Sequence, residues 1–465
     1  MTTDNVTLSA LTNLIQEASS AVFTETINRR TALISSGALK RKDIEGEEWV
    51  EQLMVGGNAS VTFSTDRGTR PVGESNLPVE VRLLPKVLTS VMTMGNRARL
   101  AKMGAKRAAG IFDVNLKQQA SAMQAFLNRA FFDKFLGSPI SDDGNPLPTW
   151  SNPGGGVGVE NSEITLKFTD LSGFRPNMAV VYADVSAPAA YTVRVKSVAP
   201  ANVTPFGGSL STKNVAGTVT FINDIKNPAT GSVVTIAAAS QIPATADGFY
   251  LRGAMAGFGA ASVALSTGLV TGLNDFLGAN GTASYLGHTP STLAGWEGGD
   301  ENVGASYTQE AINQFLSRIL TGSGEPVSHL VMNRPLGLVH AYVSETKGAT
   351  FGLGTAAVNA ARPKGLGSGF DKFGDIKRGD VDGAITISGI KPVVDEFCPH
   401  ASVFALNSEY LDLGVWTEVE PEMEAGSPLM VSRSKLEVEV YYTGTMDLAT
   451  RKRSAHGAFR GITGL

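Results

Sequence analysis

GAITISGIKPVVDEFCPHASVFALNSEYLDLG, Gly383 to Gly414, and LEVEVYYTGTMDLATRKRSAHGAFRGITGL, Leu436 to Leu465, decide the fold. In both stretches short runs of Val, Ile, Leu and Phe are cut by Pro, Gly and Asn, the pattern of β-strands joined by turns. In the second, Leu436, Val438, Val440 and Tyr442 share one face while Glu437, Glu439 and Tyr441 share the other, which predicts a half-buried strand. Neither stretch holds a set of side chains suited to catalysis. Cys398, the sole cysteine, follows Val393, Val394 and Phe397 and precedes Pro399, so it reads as a buried strand-end thiol rather than a nucleophile. One thiol closes no intrachain disulfide, which excludes a disulfide scaffold and fits a reducing cytoplasm.

Working upstream, TQEAINQFLSRILTG predicts a helix with Thr308 as N-cap, Ile312, Phe315, Leu316 and Ile319 as buried face and Gly322 as stop. VSHLVMN reads as a strand, and RPLGLVHAYVSET as a helix with Pro335 in its first turn. Between these and the closing strands, GLGTAAVNAARPKGLGSGFDKFGDIKRGD is a Gly-rich loop carrying Lys364, Lys372, Lys377 and Arg378. Gly253 to Leu273 is uncharged, yet too diluted by Gly, Ala, Ser and Thr for a membrane span, and reads as a tightly packed segment. Gly272 to Gly299 is loop-rich and carries Tyr285 and Trp296.

Residues 159–252 change character. EITLKF, MAVVYADV, AAYTVRVKSVA, GTVTFINDI, SVVTIAAA and GFYLRG are short β-prone runs with turns between them, which predicts a small antiparallel barrel or sandwich. Before them lies a Gly/Pro-rich linker, Ser141 to Gly158, and before that Asp113 to Gly137, where Leu116, Ala120, Met123, Leu127, Ala130 and Phe131 repeat at helical spacing. Gly137 is the expected C-cap, and a helix of this length spans about 35 Å. Arg97, Arg99, Lys102, Lys106 and Arg107 form the strongest basic run: a patch facing DNA or an acidic neighbour on one reading, a solvated helical face on the other. Val61 and Phe63, then Val79 and Val81, alternate with polar residues about the polar stretch DRGTRPVGESNLP, which predicts a long hairpin. A lone hairpin is marginal in water and needs a surface to lie on. At the N-terminus Leu8, Leu11, Ile15, Ala18 and Val22 form one apolar helical stripe, which needs either the chain's own body or a neighbouring subunit as partner.

The order of arm, hairpin, long helix and closing β-blocks resembles that of major capsid proteins of tailed bacteriophages, the Hong Kong 97 type fold. The resemblance spans most of the chain outside residues 159–252 and rests on element order rather than on a strict motif. It implies an α+β fold: an N-terminal arm (1–40), an extended loop hairpin (41–86), a peripheral domain with spine helix and linker (87–158), an inserted all-β domain (159–252), an axial domain with adjoining body (253–415) and a C-terminal return to the peripheral domain (416–465). It also implies self-assembly into pentamers and hexamers of an icosahedral virion shell, built in the host cytoplasm around double-stranded DNA held by non-specific contact. Portal and, as further partners, scaffold or decoration proteins belong to such a particle, and a separate scaffold is expected. On this reading Arg67, Arg70 and Glu74 at the hairpin tip, Leu8, Leu11 and Ile15 on the arm, and Lys372 and Arg378 in the axial loop are intersubunit contact residues. Some shells of this family crosslink through a Lys on the extended loop. From Glu47 to Pro85 this chain has no Lys, so non-covalent contacts are expected instead. An encapsulin-like cellular compartment and a bacterial surface β-module protein are the alternative readings.

Composition agrees with a structural role. The chain has 465 residues, 42% hydrophobic and 18% charged, with 52 Gly and a net charge of −4. Its charged share lies below the usual quarter, and its net charge gives no support for tight nucleic-acid binding. No G-x-S-x-G, Walker-type or H-E-x-x-H motif occurs, and GGGVG at 154–158 lacks the spacing and the Lys of a phosphate loop. His288, His329, His340, His400 and His456 are scattered, and Asp142–Asp143 and Asp300–Glu301 lack the ligand ladder of a calcium loop. No enzyme activity, catalytic residue, metal or cofactor is expected, and no membrane. MTTDNVTLSA has no basic region before an apolar core, so no signal peptide is expected.

Overall fold

The computed structural model describes residues 22–23, 25–27, 31–54, 79–95, 105–140, 150, 159–184, 189–200, 216–227, 230–236, 248–254, 269–277, 284–289, 296–302, 307–333, 390, 392–423, 430–431 and 437–462. It is a mixed, sheet-rich structure with few helices. Its strands form three larger sheets and one two-stranded ribbon.

The first sheet contains two of the strands that run through the C-terminal stretches, β15 and β17. β15 (Leu411–Pro421) pairs antiparallel with β17 (Glu437–Thr450), which pairs on with β4 (Lys86–Gly95) and with the short β16 (Met430–Val431). β1 (Lys40–Asp43) adds parallel to β15 as a basic edge, a composition that blunts edge-to-edge association. Val440 and Tyr442 are buried while Glu439 and Tyr441 are half-exposed, as the period-two reading requires. β15 crosses the expected 415/416 boundary without a break.

Helix α2 (Ala105–Phe132) lies against this sheet. Its stripe of Leu116, Ala120, Met123, Leu127 and Phe131 packs on Leu88, Met92, Val440, Tyr442 and Met446. Two short helices, α1 (Ala32–Ser35) and α3 (Leu273–Leu277), add Leu33 and Phe276 to the same core. The long helix begins earlier than the predicted Asp113 and stops at Phe132, short of Gly137. Lys106 and Arg107 thereby join its first turn, although their side chains lie outside the described residues. At 28 residues it spans about 42 Å. Gly137 is not a helix cap. It ends β5 (Phe135–Gly137) with φ of 142°.

β5 belongs to the second sheet, ordered β5, β10 (Gly248–Leu251), β7 (Ala179–Asp184), β8 (Ala189–Pro200), β9 (Gly217–Asn223) and β6 (Ser162–Phe168), every pair antiparallel. Just past β5, Ile140 bridges Lys167 in β6, so the segment 135–140 touches both edges and closes the sheet into a barrel. Phe168, Phe174, Phe221 and Phe249 fill its interior, the last two stacked with centroids 4.3 Å apart. The barrel therefore extends beyond the expected 159–252 and takes its closing segment from the chain that follows the long helix. SVVTIAAA adds no full strand among the described residues. Val233 makes one bridge to Lys226 across a turn at Gly231, and Ile236 enters the barrel core.

The third sheet is ordered β11 (Gly299–Asn302), β18 (Gly457–Arg460), β14 (Val403–Leu406), β12 (His329–Met332) and β13 (Pro392–Val394). Helix α4 (Gln309–Ser323) covers it with the predicted Ile312, Phe315, Leu316 and Ile319. Thr308 caps α4, its hydroxyl accepting from the Ala311 N–H at 3.2 Å. The left-handed C-cap is Gly324, at φ of 72°, rather than Gly322. The terminal strand β18 enters this sheet and not the one containing β15 and β17, so the tail returns to the body that was expected to end at residue 415. The buried Arg453 fastens the segments around Phe276 and Trp296, donating to the carbonyls of both. Residues 1–21 of the predicted arm, the predicted helix at Pro335 and the loop 352–380 lie outside the described residues.

Candidate assembly surface

A two-stranded ribbon leaves the body between β1 and β4. β2 (Trp49–Leu53) pairs antiparallel with β3 (Val79–Leu83), from Trp49 opposite Leu83 to Leu53 opposite Val79. Of the predicted hairpin, the arm with Val79 and Val81 is β3, and its described partner is 49–53 rather than the run at Val61 and Phe63. Val61, Phe63, Arg67, Arg70 and Glu74 lie on the chain between them, outside the described residues.

Alternation sorts the two faces of the ribbon. Trp49, Glu51, Leu53, Val81 and Leu83 point inward and are buried, while Val50, Gln52, Glu80 and Arg82 point outward. Trp49 lies edge-on to Trp416, at 6.3 Å and 73°. Its ring covers Gly414, where an added Cβ would stand 2.6 Å from Trp49 Cε3, so the strand beneath must carry glycine. Glu51 is an acid in an inward position, and its partners are all fixed there. It accepts from Trp49 Nε1 at 2.7 Å and Lys42 Nζ at 2.8 Å, with Arg451 Nε at 3.7 Å. Arg451 also reaches Asp412 at 3.4 Å. Burial raises the Asp412 carboxyl above its ordinary value, and the Arg451 charge opposes that rise. The Arg451 carbonyl accepts the Met54 N–H at 2.7 Å. The base of the ribbon is thus bolted to the ends of β15 and β17 by packing, charge and backbone, and the chain between residues 54 and 79 departs from it.

Apolar side chains remain uncovered on the ribbon and the strand that follows. Val50 is 48% exposed, Met54 50%, Leu84 59%, Val87 59% and Val91 40%. Among the described residues β4 pairs along one edge only, with β17. It also borders a groove of about 1130 Å³, lined by Val87, Val91, Gln119, Phe126, Met178 and Leu269 and lying between the sheet, the long helix and the barrel. Isolated exposed apolar residues are ordinary, and it is their recurrence along consecutive elements that sets this stretch apart.

Several of the titratable side chains singled out in the sequence lie among the described residues. No group of three or more His, Cys, Asp and Glu within them is placed to hold a metal. Cys398 is fully buried after β13, and burial pushes its thiol well above the ordinary range, the opposite of an activated nucleophile. His456 is buried between Asn407 and Thr450: the Asn407 N–H donates to Nδ1 at 3.2 Å, and Nε2 meets Thr450 Oγ1 at 2.9 Å. A backbone donor fixes the tautomer with its proton on Nε2, and burial lowers this imidazole to about 3. His329 holds the Ser36 carbonyl at 3.2 Å and serves packing. Arg97, Arg99 and Lys102, like Leu8, Leu11, Ile15, Lys372 and Arg378, lie outside the described residues. Among the described residues no helix is long and apolar enough to cross a membrane.

The ribbon's anchor is not visible in the sequence reading. WVEQL alternates as a strand should, but Glu51 in an inward position disguises the apolar period. Gly414 and Arg451, its partners, lie far away in the chain. No family model matches the chain, and no curated protein does. Among solved structures it is similar to the cyanophage A-1(L) capsid asymmetric unit, with a TM-score of 0.43, 9% identity and 92% of each chain covered. It is also similar to a structure titled Mycobacterium phage Cain, at TM-score 0.39 and 8% identity over 99% of this chain and 98% of that one. A third is the satellite phage P4 procapsid including size determination (Sid) protein, at TM-score 0.36 and 8% identity over 96% and 99%.

Proposed function

We propose that this chain is a shell subunit, the major capsid protein of a tailed bacteriophage with the Hong Kong 97 type fold, which assembles through pentamers and hexamers into an icosahedral particle around double-stranded DNA. The observation that carries the proposal is the anchored ribbon with its uncovered apolar row. Its base is fixed by Trp49, Glu51 and Arg451, while Val50, Met54, Leu84, Val87 and Val91 stay open to solvent in a single chain. A subunit that completes its surface only against copies of itself has this form, and repetition around a closed shell multiplies contacts that are individually small.

The sequence order supports the same reading: arm, ribbon, long helix, inserted barrel and closing strands follow one another as the family resemblance implies. Within it, residues 41–86 are the extended loop, with Arg67, Arg70 and Glu74 pairing across the seam, each exposed pair being worth roughly 0–1 kcal/mol. Leu8, Leu11 and Ile15 clasp a neighbour, Lys372 and Arg378 lie near the symmetry axes, and Arg97, Arg99, Lys102, Lys106 and Arg107 face the packaged DNA. Portal, scaffold and decoration proteins are the further partners, and assembly takes place in the host cytoplasm. Particles isolated from the native host test the reading. Nuclease-protected double-stranded DNA inside them is expected; particles filled with protein cargo and free of nucleic acid would assign the chain to a cellular compartment.

A further inference from the structure

We propose that the loop Asp395–His400 is a proton-sensitive joint, in which the charge on Asp395 sets how firmly the barrel and the long helix are held to the body. This goes beyond shell formation and stands whether or not a shell forms.

The loop makes a three-way contact. From the helix, Arg129 donates to the Phe397 carbonyl at 2.9 Å and, through its other terminal nitrogen, to the Phe135 carbonyl of the barrel at 2.8 Å. From the barrel, Asp170 accepts the His400 N–H at 2.9 Å, and the Arg175 guanidinium stands over the Phe397 ring at 4.7 Å with Glu396 at 3.9 Å. From the body, the Met332 carbonyl accepts the Asp395 N–H at 2.9 Å, and Asn333 meets His400 Nδ1 at 2.9 Å.

Asp395 sits at the centre, 2% exposed. Its carboxyl accepts from the Phe397 N–H at 2.8 Å and from Asn128 Nδ2 at 3.1 and 3.3 Å, and among the described residues it makes no ion pair. Two buried polar atoms beside it, Asn128 Oδ1 and Arg129 Nε, make no hydrogen bond among the described residues. A half-turn of the Asn128 amide presents its Oδ1 to Asp395, and only a protonated carboxyl can donate to it. The socket therefore offers one arrangement to the carboxylate and another to the acid. The charged and titratable groups facing it are Arg129 from the helix, Asp170 and Arg175 from the barrel, and Glu396, Cys398 and His400 from the loop itself.

Burial raises this carboxyl to about 6, partly offset by the Phe397 and Asn128 hydrogen bonds. A raised folded value means that the stabilisation is complete below the ordinary aspartate value and is lost as pH rises through about 6, so opening of the joint is favoured from about pH 4 upward and levels off above 6. Burial lowers His400, which acts with the opposite sign and favours opening as pH falls below about 6.5. Removing the carboxylate separates the two effects.

The sole thiol, Cys398, lies buried in the joint and reports its opening. The test compares the full chain with Asp395→Asn, following Cys398 modification by a pyridyl disulfide from pH 4 to 7. The ratio of wild-type to variant rates cancels the thiol's own pH dependence. It is expected to climb across this range, by at most about 100-fold for a two-unit difference in pKa, and to do so at low urea where the rates are insensitive to denaturant. A flat ratio overturns the proposal. So does a urea dependence matching that of global unfolding, because the thiol would then report the whole fold rather than the joint. Should Asp395→Asn fail to fold, infrared titration of the wild-type chain carrying carbon-13-labelled aspartate decides. A buried carboxylic acid band persisting to near pH 6 supports the joint, and its loss by pH 5 overturns it.

Discussion

Trp49 and Gly414 show how single residues hold the ribbon to the body. The indole occupies the space that a methyl group on residue 414 would need. Gly414→Ala is therefore expected to destabilise the chain by about 1–3 kcal/mol through overpacking and to move Trp49 toward solvent. A lowered urea midpoint with red-shifted tryptophan emission checks this; an unchanged midpoint would show that the ribbon yields at no cost. His456 gives a second test at this scale. It is neutral in the fold, with a value of about 3 against about 6.5 in the unfolded chain. Protons thus bind preferentially to the unfolded chain below pH 6.5, and the contribution of His456 to stability is complete above that pH and shrinks as pH falls toward 3. The slope approaches about 1.4 kcal/mol per pH unit. Denaturant titrations of wild type and His456→Asn between pH 7 and 4 are expected to converge as pH falls. The family resemblance implies which side chains meet neighbours, but partnerships such as Glu51 with Arg451 or the buried Asn407 with His456 join residues distant in the chain, and no local period encodes them.

At the scale of elements, most of what local chemistry determines is legible in the sequence. The Thr308 cap, the buried face of α4, the long helix and the β17 alternation all follow from spacing and capping chemistry. Thr308→Ala is expected to cost about 1 kcal/mol, read as a shift in urea midpoint, because the Ala311 N–H loses its acceptor. The errors fall where tertiary contacts override local signals. Gly137 reads as a helix stop, but the helix ends at Phe132, where the chain turns to give β5 to the barrel. Gly322 reads as a stop as well, yet Gly324 is the residue that adopts the left-handed conformation. Strand partners are not legible either: nothing in LEVEVYY specifies pairing with β4, and nothing in GAFR specifies the third sheet. The exposed valines of β4 test the element's role. Val87→Asp and Val91→Asp leave fold stability within about 0.5 kcal/mol, as surface substitutions do, yet are expected to abolish assembly. Light scattering beside a thermal melt separates the two effects.

For the whole molecule, the long helix is shared by two cores. One stripe packs on the first sheet, and its last turn, with Ala130 and Arg129, enters the barrel and the Asp395 joint. The barrel closes with chain that leaves this helix, so it is built into the body rather than strung from it. On the proposed reading, that arrangement suits a shell subunit whose parts must keep register. Sedimentation and electron microscopy of the purified, full-length chain test the central claim most directly. Closed particles, or discrete pentamers and hexamers, are the predicted result, and a stable monomer at concentrations well above those used for assembly would contradict it.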